Sequence, residues 1–374
     1  MNIGLLKETG KERRVALLPE IVTTLVKMNV TVNVEHNAGS GSFVPDAGYV
    51  DAGAKILSKK EVIENSDFII KLNGPTDEEI GLMKKDQCFL GVFNPLTDHA
   101  IVKKIMNAGI TAFSMDVIPR TSRAQAMDIL SSMATVNGYK AVLMAANTLP
   151  KFFPMFMTAA GTITPAKILI LGAGVAGLQA LATSRKLGGV VEVFDVRAAV
   201  KEEVVGLGGK FVDVEGARDD KAAGGYAVEQ TDEFKLRQAQ AVHDHAIKSD
   251  VIICTAQIPG KKAPVLIKKE TVEAMKPGSV IIDIASSTGG NCELTKDGET
   301  IVAHEVTIIG NSFFAIDMPF DASKMFGKNV LNFLKLMITK DGFKINWEDD
   351  IVKGTCVTYN NEIINERVKA LIQN

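Results

Sequence analysis

The chain has 374 residues, enough for two domains that each bury a core of their own. Its hydrophobic fraction of 46%, charged fraction of 23% and formal net charge of −2 are ordinary for a globular protein, and they give no electrostatic reason to expect nucleic acid or an anionic membrane surface as a partner. No apolar run reaches the roughly 18 residues a membrane helix needs, and Met1 to Glu8 lacks the apolar core of a signal peptide, so a cytoplasmic location is expected.

Taken in order, Asn2 to Leu6, Val30 to Glu35, Phe68 to Leu72, Cys88 to Phe93 and Ile110 to Ser114 read as strands. Helical patterns lie between them, one opening with Pro19 at its first position and another running from Ala100 to Met106. This alternation predicts a doubly wound α/β domain without phosphate-binding glycines. Arg123 to about Leu149 reads as one long helix crossing between domains. The proline-broken link after it, Leu149-Pro-Lys-Phe-Phe-Pro-Met-Phe-Met, carries aromatics that read as core filler.

The second domain announces its chemistry. Lys167-Ile-Leu-Ile-Leu is a β-branched, apolar strand entering Gly172-Ala-Gly174-Val-Ala-Gly177, and a helical pattern starts at once. Gly172 permits the tight turn, Gly174 lets backbone approach a pyrophosphate, and Gly177 lets helix and strand pack closely over a helix N-terminus that attracts phosphate. The next strand, Val190-Val-Glu-Val-Phe, ends at Asp195, about 20 residues on, where a carboxylate can take a ribose 2′-hydroxyl and repel the 2′-phosphate of NADP. Arg197 is the dissenting side chain, because an arginine near this position can accommodate that phosphate. Further on, a helix is expected near Val200 to Gly206 and strands at Lys210 to Val214, Asp250 to Cys254, Ser279 to Ile284 and Val306 to Ile309. A second long helix, roughly Ala322 to Thr339, should return the chain to the first domain. The charged, glycine-bearing stretch Gly216 to Glu229 breaks the alternation and reads as a mobile lid with Tyr226 as its aromatic anchor.

Cys88, Cys254, Cys292 and Cys356 form no C-x-x-C pair and read as isolated packing thiols. His243 and His245 diverge on a helix, the other histidines stand alone, and no metal is expected.

With Arg120-Thr121-Ser122-Arg-Ala-Gln125-Ala-Met-Asp128-Ile-Leu-Ser131, together with Lys7-Glu-Thr-Gly-Lys-Glu-Arg-Arg-Val-Ala and Lys328-Asn-Val-Leu-Asn-Phe, the chain resembles the NAD(H)-binding component of the proton-translocating nicotinamide nucleotide transhydrogenases. The resemblance covers essentially the whole sequence. It implies two Rossmann-like domains with a cleft between them, linked by two long helices: 1–135 plus 318–374, and 136–317. It implies that Arg120, Gln125 and Asp128 surround the dihydronicotinamide, with Thr121, Ser122 and Ser131 beside them. By the same matching, contacts to NAD(H) fall on Ala173, Gly174, Val175, Asp195, Val196, Arg197, Gly225, Tyr226, Gln238 and Gln257, besides Gly172 and Gly177 of the turn. It further implies a homodimer, NADP(H) bound by a partner subunit, and docking through membrane-embedded subunits on the inner face of the cytoplasmic membrane. A separate soluble subunit is expected, because no hydrophobic span follows near Asn374.

Alanine dehydrogenase is a relative of this family and shares Arg14-Val-Ala. Its catalytic lysine, histidine and aspartate fall by approximate matching on Asn73, Asn94 and Ser287, so the proton donor and acceptor that imine chemistry needs are missing, and Arg14 is left as a structural remnant. An alanine dehydrogenase-like enzyme and a non-catalytic NAD-binding module stand as the alternative readings. The first would need those acid–base groups, and the second would have no use for the Arg120 loop.

Overall fold

The computed structural model describes residues 1–216, 230–258, 261–339 and 342–373. They form two compact units, one of Met1–Met133 with Ile316–Asn374 and one of Ala134–Ala315. The first boundary falls inside the helix Ile129–Thr148, whereas the helix Pro319–Leu334 lies wholly in the first unit.

The first unit is built on a sheet ordered Glu362–Ile363, Cys356–Tyr359, Thr111–Ser114, Cys88–Val92, Phe68–Asn73, Asn2–Leu5, Thr31–Glu35 and Lys55–Leu57. The six strands from Thr111–Ser114 onward run parallel. Their central members are buried along nearly their whole length, which is why Phe-Ile-Ile-Lys-Leu and Cys-Phe-Leu-Gly read as apolar runs rather than alternating ones. The chain lays down three strands outward from Asn2–Leu5, returns to its other side and continues to Thr111–Ser114, so the strand order reverses between Asn2–Leu5 and Phe68–Asn73. That reversal is a topological switch point.

The second unit repeats the same winding. Its sheet is ordered Lys210–Phe211, Val190–Phe194, Lys167–Leu171, Val251–Cys254, Val280–Asp283 and Val306–Gly310, all parallel, with Thr300–Ala303 added antiparallel at one edge. Its reversal lies between Lys167–Leu171 and Val251–Cys254, directly after the strand that feeds the glycine turn.

Several expectations are corrected. The long helix does not begin at Arg123: Ser122–Met127 is a 3₁₀ turn and the α-helix starts at Ile129, because Asp128 turns its carboxylate onto the backbone N–H of Ser131 at 3.0 Å and so caps the helix. The second long helix is shifted too, to Pro319–Leu334, with Pro319 in the first turn. The link aromatics are not core filler as a group. Only Phe153 is buried, whereas Phe152 is 54% exposed and Met157 81% exposed, and Phe156–Thr158 and Gly161–Ile163 form a small antiparallel hairpin. The strand after Val190–Phe194 holds only Lys210–Phe211. The edge strands Lys55–Leu57 and Thr300–Ala303 go beyond the sequence reading, since short half-exposed runs carry little periodic signal, as does the short buried strand Cys356–Tyr359.

All four cysteines are buried and unpaired. Burial pushes the Cys292 thiol up to about 11 and the Cys88 thiol up to about 12, so both stay protonated and inert at neutral pH.

Candidate functional site

In the second unit the glycine turn is built by the strand Lys167–Leu171 and the helix Val175–Lys186. Gly172 has φ +101°, a left-handed value that glycine alone adopts without strain, and an added Cβ would meet Thr255 Oγ1 at 2.7 Å. Gly174 is the N-cap and no side chain caps the helix, so its first N–H groups remain for a ligand. A Cβ on Gly174 would meet nothing within 4 Å, which is the open flank an approaching pyrophosphate needs, whereas one on Gly177 would lie 1.8 Å from the Gly172 carbonyl oxygen.

Asp195 sits just past its strand with its carboxylate 6% exposed. Its Oδ2 accepts from the Ala173 N–H at 2.7 Å, which ties the second strand to the glycine turn. Arg197 closes over the same carboxylate, its backbone N–H and Nε reaching Oδ1 at 2.9 and 2.8 Å and its Nη2 reaching Oδ2 at 2.7 Å. Val196 is half-buried beside them and Val175 is exposed at the helix start.

A set of residues that sequence reasoning missed holds the loops around the turn. The Thr255 hydroxyl lies 3.1 and 3.0 Å from the carbonyls of Leu171 and Gly172, fixing the mouth of the turn from the neighbouring strand. Asn291, fully buried, accepts from the Ala256 N–H at 2.9 Å and donates to the carbonyls of Ala256 and Pro264 at 2.9 and 2.8 Å. Asp283 gathers the N–H groups of Ala285, Asn291 and Cys292 and the Thr295 hydroxyl, at 2.7 to 3.0 Å. Burial raises its pKa and these donors oppose the rise. Together they pin the segment carrying Gln257, whose Nε2 donates to the Ile284 carbonyl at 3.2 Å. Gly138 belongs to this half as well: its missing side chain lets the helix Ile129–Thr148 approach Ala176, whose carbonyl would stand 2.2 Å from an added Cβ. The only signals in sequence were an aspartate ending a strand and single polar residues at strand ends, none of them specific. Gln238 is half-buried in the helix Asp232–Ala246. Gly225 and Tyr226, with all of the expected Gly216 to Glu229 lid except Gly216 itself, lie outside the described residues.

In the first unit the Arg120–Asp128 loop shows a plain division of labour. Ala124 and Met127 are buried and plug the turn into the core, while Arg120, Thr121, Ser122 and Gln125 are exposed. Asp128 is engaged, its Oδ1 accepting from the Ser131 N–H and its Oδ2 from the Ser131 hydroxyl at 2.7 Å. Arg123 forms an exposed pair with Asp349, Nη1 to Oδ2 at 2.7 Å and Nη2 to Oδ1 at 2.8 Å, and also bonds Asp350.

At the switch point of this unit lies the cluster that would matter to an amino acid dehydrogenase. Arg14 is clasped by Glu12, Nε to Oε1 at 2.8 Å and Nη2 to Oε2 at 2.6 Å. Burial pushes the Glu12 carboxyl up, but the hydrogen bonds and charge of Arg14 outweigh it and hold the group below its usual range. Asn73 gives its side-chain amide to Glu8 at 2.9 Å, and burial raises the Glu8 pKa despite the nearby Lys71 ammonium. Lys71 itself is buried in a pair with Glu79 at 2.9 Å. Asn94 is exposed with φ +49°, and the Ser287 N–H, in the other unit, donates to the Ser312 hydroxyl. Among the described residues no cluster of side chains suited to a metal ion occurs, and no helix is long and apolar enough to cross a membrane.

The model of the alanine dehydrogenase/PNT N-terminal domain matches residues 4–137 and that of the C-terminal domain matches 141–366. The chain is 44% identical over 375 residues to an NAD(P) transhydrogenase subunit alpha polypeptide of Rhodospirillum rubrum, covering 97% of this chain and 98% of that protein. Among solved structures, the transhydrogenase of Sinorhizobium meliloti superposes with a TM-score of 0.89 at 38% identity, covering 97% of this chain and 100% of that one. An L-alanine dehydrogenase superposes with a TM-score of 0.82 at 25% identity, covering 100% and 99%. Two Rossmann-like units, a built dinucleotide turn and this kinship over nearly the full length agree: the chain belongs to the alanine dehydrogenase/PNT family, with the NAD(P) transhydrogenase alpha subunits.

Proposed function

We propose that this chain is the NAD(H)-binding subunit of a proton-translocating transhydrogenase and that hydride passes directly between NAD(H) held here and NADP(H) held by a partner subunit. The glycine turn and the helix N-terminus after it take the pyrophosphate, Asp195 the adenosine ribose, and Arg120, Gln125 and Asp128 the carboxamide ring, with Ser131 fixing Asp128. Direct hydride transfer needs no general acid or base, so the protein's task is placement. The observation that carries this reading is the state of Asn73. It stands where an amino acid dehydrogenase would hold a lysine, and its amide is bonded to a carboxylate, beside an Arg14 already neutralised by Glu12. An amide and a guanidinium so engaged cannot serve an imine as the lysine of an amino acid dehydrogenase would.

NAD(H) is favoured over NADP(H) because Arg197 is committed to Asp195 instead of being held out for a 2′-phosphate. The ribose hydroxyls must share that carboxylate with it. The test of the whole reading has two arms: alanine plus NAD on the purified chain, and NADPH plus an NAD analogue on the chain mixed with an NADP(H)-binding partner. Transfer is expected in the second arm only, with NADH binding at least about tenfold tighter than NADPH, roughly 1.4 kcal/mol. Turnover in the first arm with none in the second would return the chain to the amino acid dehydrogenases.

The working unit is a homodimer docked peripherally on membrane subunits at the inner face of the membrane. The hairpin of Phe156–Thr158 and Gly161–Ile163 supports the dimer, since its strands are exposed on every residue and Phe152 and Met155 extend the apolar surface at its base. A patch of this kind marks an interaction surface, and a second copy of the chain is its occupant. Phe156→Glu together with Met157→Glu should halve the mass measured by light scattering. An unchanged mass would show that the hairpin does not hold the dimer.

A further inference from the structure

The Arg120–Asp128 loop has a weak internal geometry and a strong external one. A 3₁₀ turn makes poor hydrogen bonds and rarely extends far, and the bond closing this one, from the Asp128 N–H to the Gln125 carbonyl, is 3.4 Å long. The Arg123 pair with Asp349 and Asp350 ties down the start of the turn and leaves its middle to other partners. The centre is held from another element. The carbonyl of Ala126, which lies between Gln125 and Asp128, accepts from Asn329 Nδ2 at 2.8 Å and from Asn332 Nδ2 at 3.1 Å. Two asparagines three apart on the helix Pro319–Leu334 thus converge on one oxygen and use both its lone pairs. Asn329 also accepts from the Ser132 hydroxyl at 2.7 Å, so one buried amide, 7% exposed, grips the chain on both sides of Asp128.

Helix stability does not account for this. Asparagine is a poor residue for a helix interior, a buried amide costs free energy unless its hydrogen bonds are made, and the neighbours Phe326, Val330 and Phe333 on the same helix are buried apolar side chains. The amide matches the loop's backbone more closely than it suits the helix.

We propose that Asn329, seconded by Asn332, is a positioning residue for hydride transfer, setting through the Ala126 carbonyl where Gln125 and Asp128 present themselves to the nicotinamide ring; this rests on the transhydrogenase reading above. Neither asparagine touches the ring, and neither contributes to the affinity of the nucleotide as a whole. Loss of the clamp lets the ring wander while pyrophosphate and ribose stay bound at the glycine turn and Asp195.

The experiment uses the full chain mixed with the NADP(H)-binding partner and follows single-turnover hydride transfer from NADPH to an NAD analogue whose reduced form absorbs apart from NADPH. NADH affinity and melting temperature are measured in parallel. Asn329→Ala should slow transfer by roughly 10- to 100-fold and move the NADH dissociation constant by less than about threefold. Asn332→Ala, at a half-buried position, should act in the same direction and less strongly with an unchanged melting temperature. It decides the matter if the first variant folds poorly. The double variant Asn329→Ala with Gln125→Asn should be scarcely slower than Gln125→Asn alone, because both act through one loop. Variants that transfer at the wild-type rate, or that lose rate and affinity in parallel, would overturn the positioning role. A wild-type mixture with no transfer at all would instead overturn the transhydrogenase reading beneath it.

Discussion

Gln125→Asn is expected to slow hydride transfer to the partner's nucleotide by about 100-fold, close to 2.7 kcal/mol of barrier, while leaving NADH affinity nearly unchanged. Arg120→Ala should do the same. The expectation follows from how the loop is mounted. Ala124 and Met127 are its buried plugs and Asp128 is bound to the start of the next helix, so the loop is anchored by these three residues while the side chains of Arg120 and Gln125 lie exposed. Their side chains are carried by a backbone held from outside, and a one-methylene shortening at Gln125 withdraws the amide by about 1.5 Å without disturbing the mount. Such a displacement between two reacting rings is enough to cost on the order of 100-fold in rate. A variant with wild-type single-turnover rates would remove Gln125 from the ring's surroundings. A loss of NADH affinity equal to the loss of rate would make it a binding residue only.

The second large effect concerns two glycines that look alike in sequence and differ in space. Gly177→Ala should lower both stability and NADH affinity. Its Cβ would stand 1.8 Å from the Gly172 carbonyl oxygen, and real contacts stop near 3.0 Å, so helix and turn must separate by at least 1.2 Å. Overpacking costs about 1–3 kcal/mol, and a clash with backbone rather than a flexible side chain falls toward the upper end, above the roughly 1 kcal/mol that alanine gains over glycine in a helix. In a unit of this size that lowers the melting temperature by several degrees, about 2–4 °C per kcal/mol. Gly174→Ala should behave differently, because its Cβ meets nothing within 4 Å. Thermal stability should stay as it is while NADH binding weakens on the order of tenfold or more, the methyl group occupying the flank a pyrophosphate approaches. Equal melting losses in the two variants would refute the distinction between the packing glycine and the ligand glycine.

What the sequence by itself determined is local. The strand, turn, helix and terminal carboxylate from Lys167 to Asp195 were legible because a dinucleotide turn is written in consecutive residues, and the alternation of buried strands with helices revealed both doubly wound units. The Arg120 loop was legible only through resemblance, since its residues alone read as a polar helix entry. The helix start was misplaced there for a related reason: an aspartate cap at Asp128 and a 3₁₀ turn share the composition of a helix, and only hydrogen-bond geometry separates them.

The tertiary structure decided everything that depends on distant partners. Asn329 and Asn332 find Ala126 across about 200 residues of chain, Asn291 reaches Ala256, and Gly138 is shaped by Ala176. No periodicity in sequence encodes such pairs, because an asparagine on a helix looks the same whether it faces water or a carbonyl. Exposure of the Phe152–Met157 link could not be read either, since an apolar run says that surface should be covered and leaves open whether the cover is the chain's own core or another molecule. The surroundings of Arg14 and Asn73 were decided in the same way. Residue types placed them near a relative's catalytic positions, and their bonds to Glu12 and Glu8 show side chains already engaged with carboxylates of their own unit.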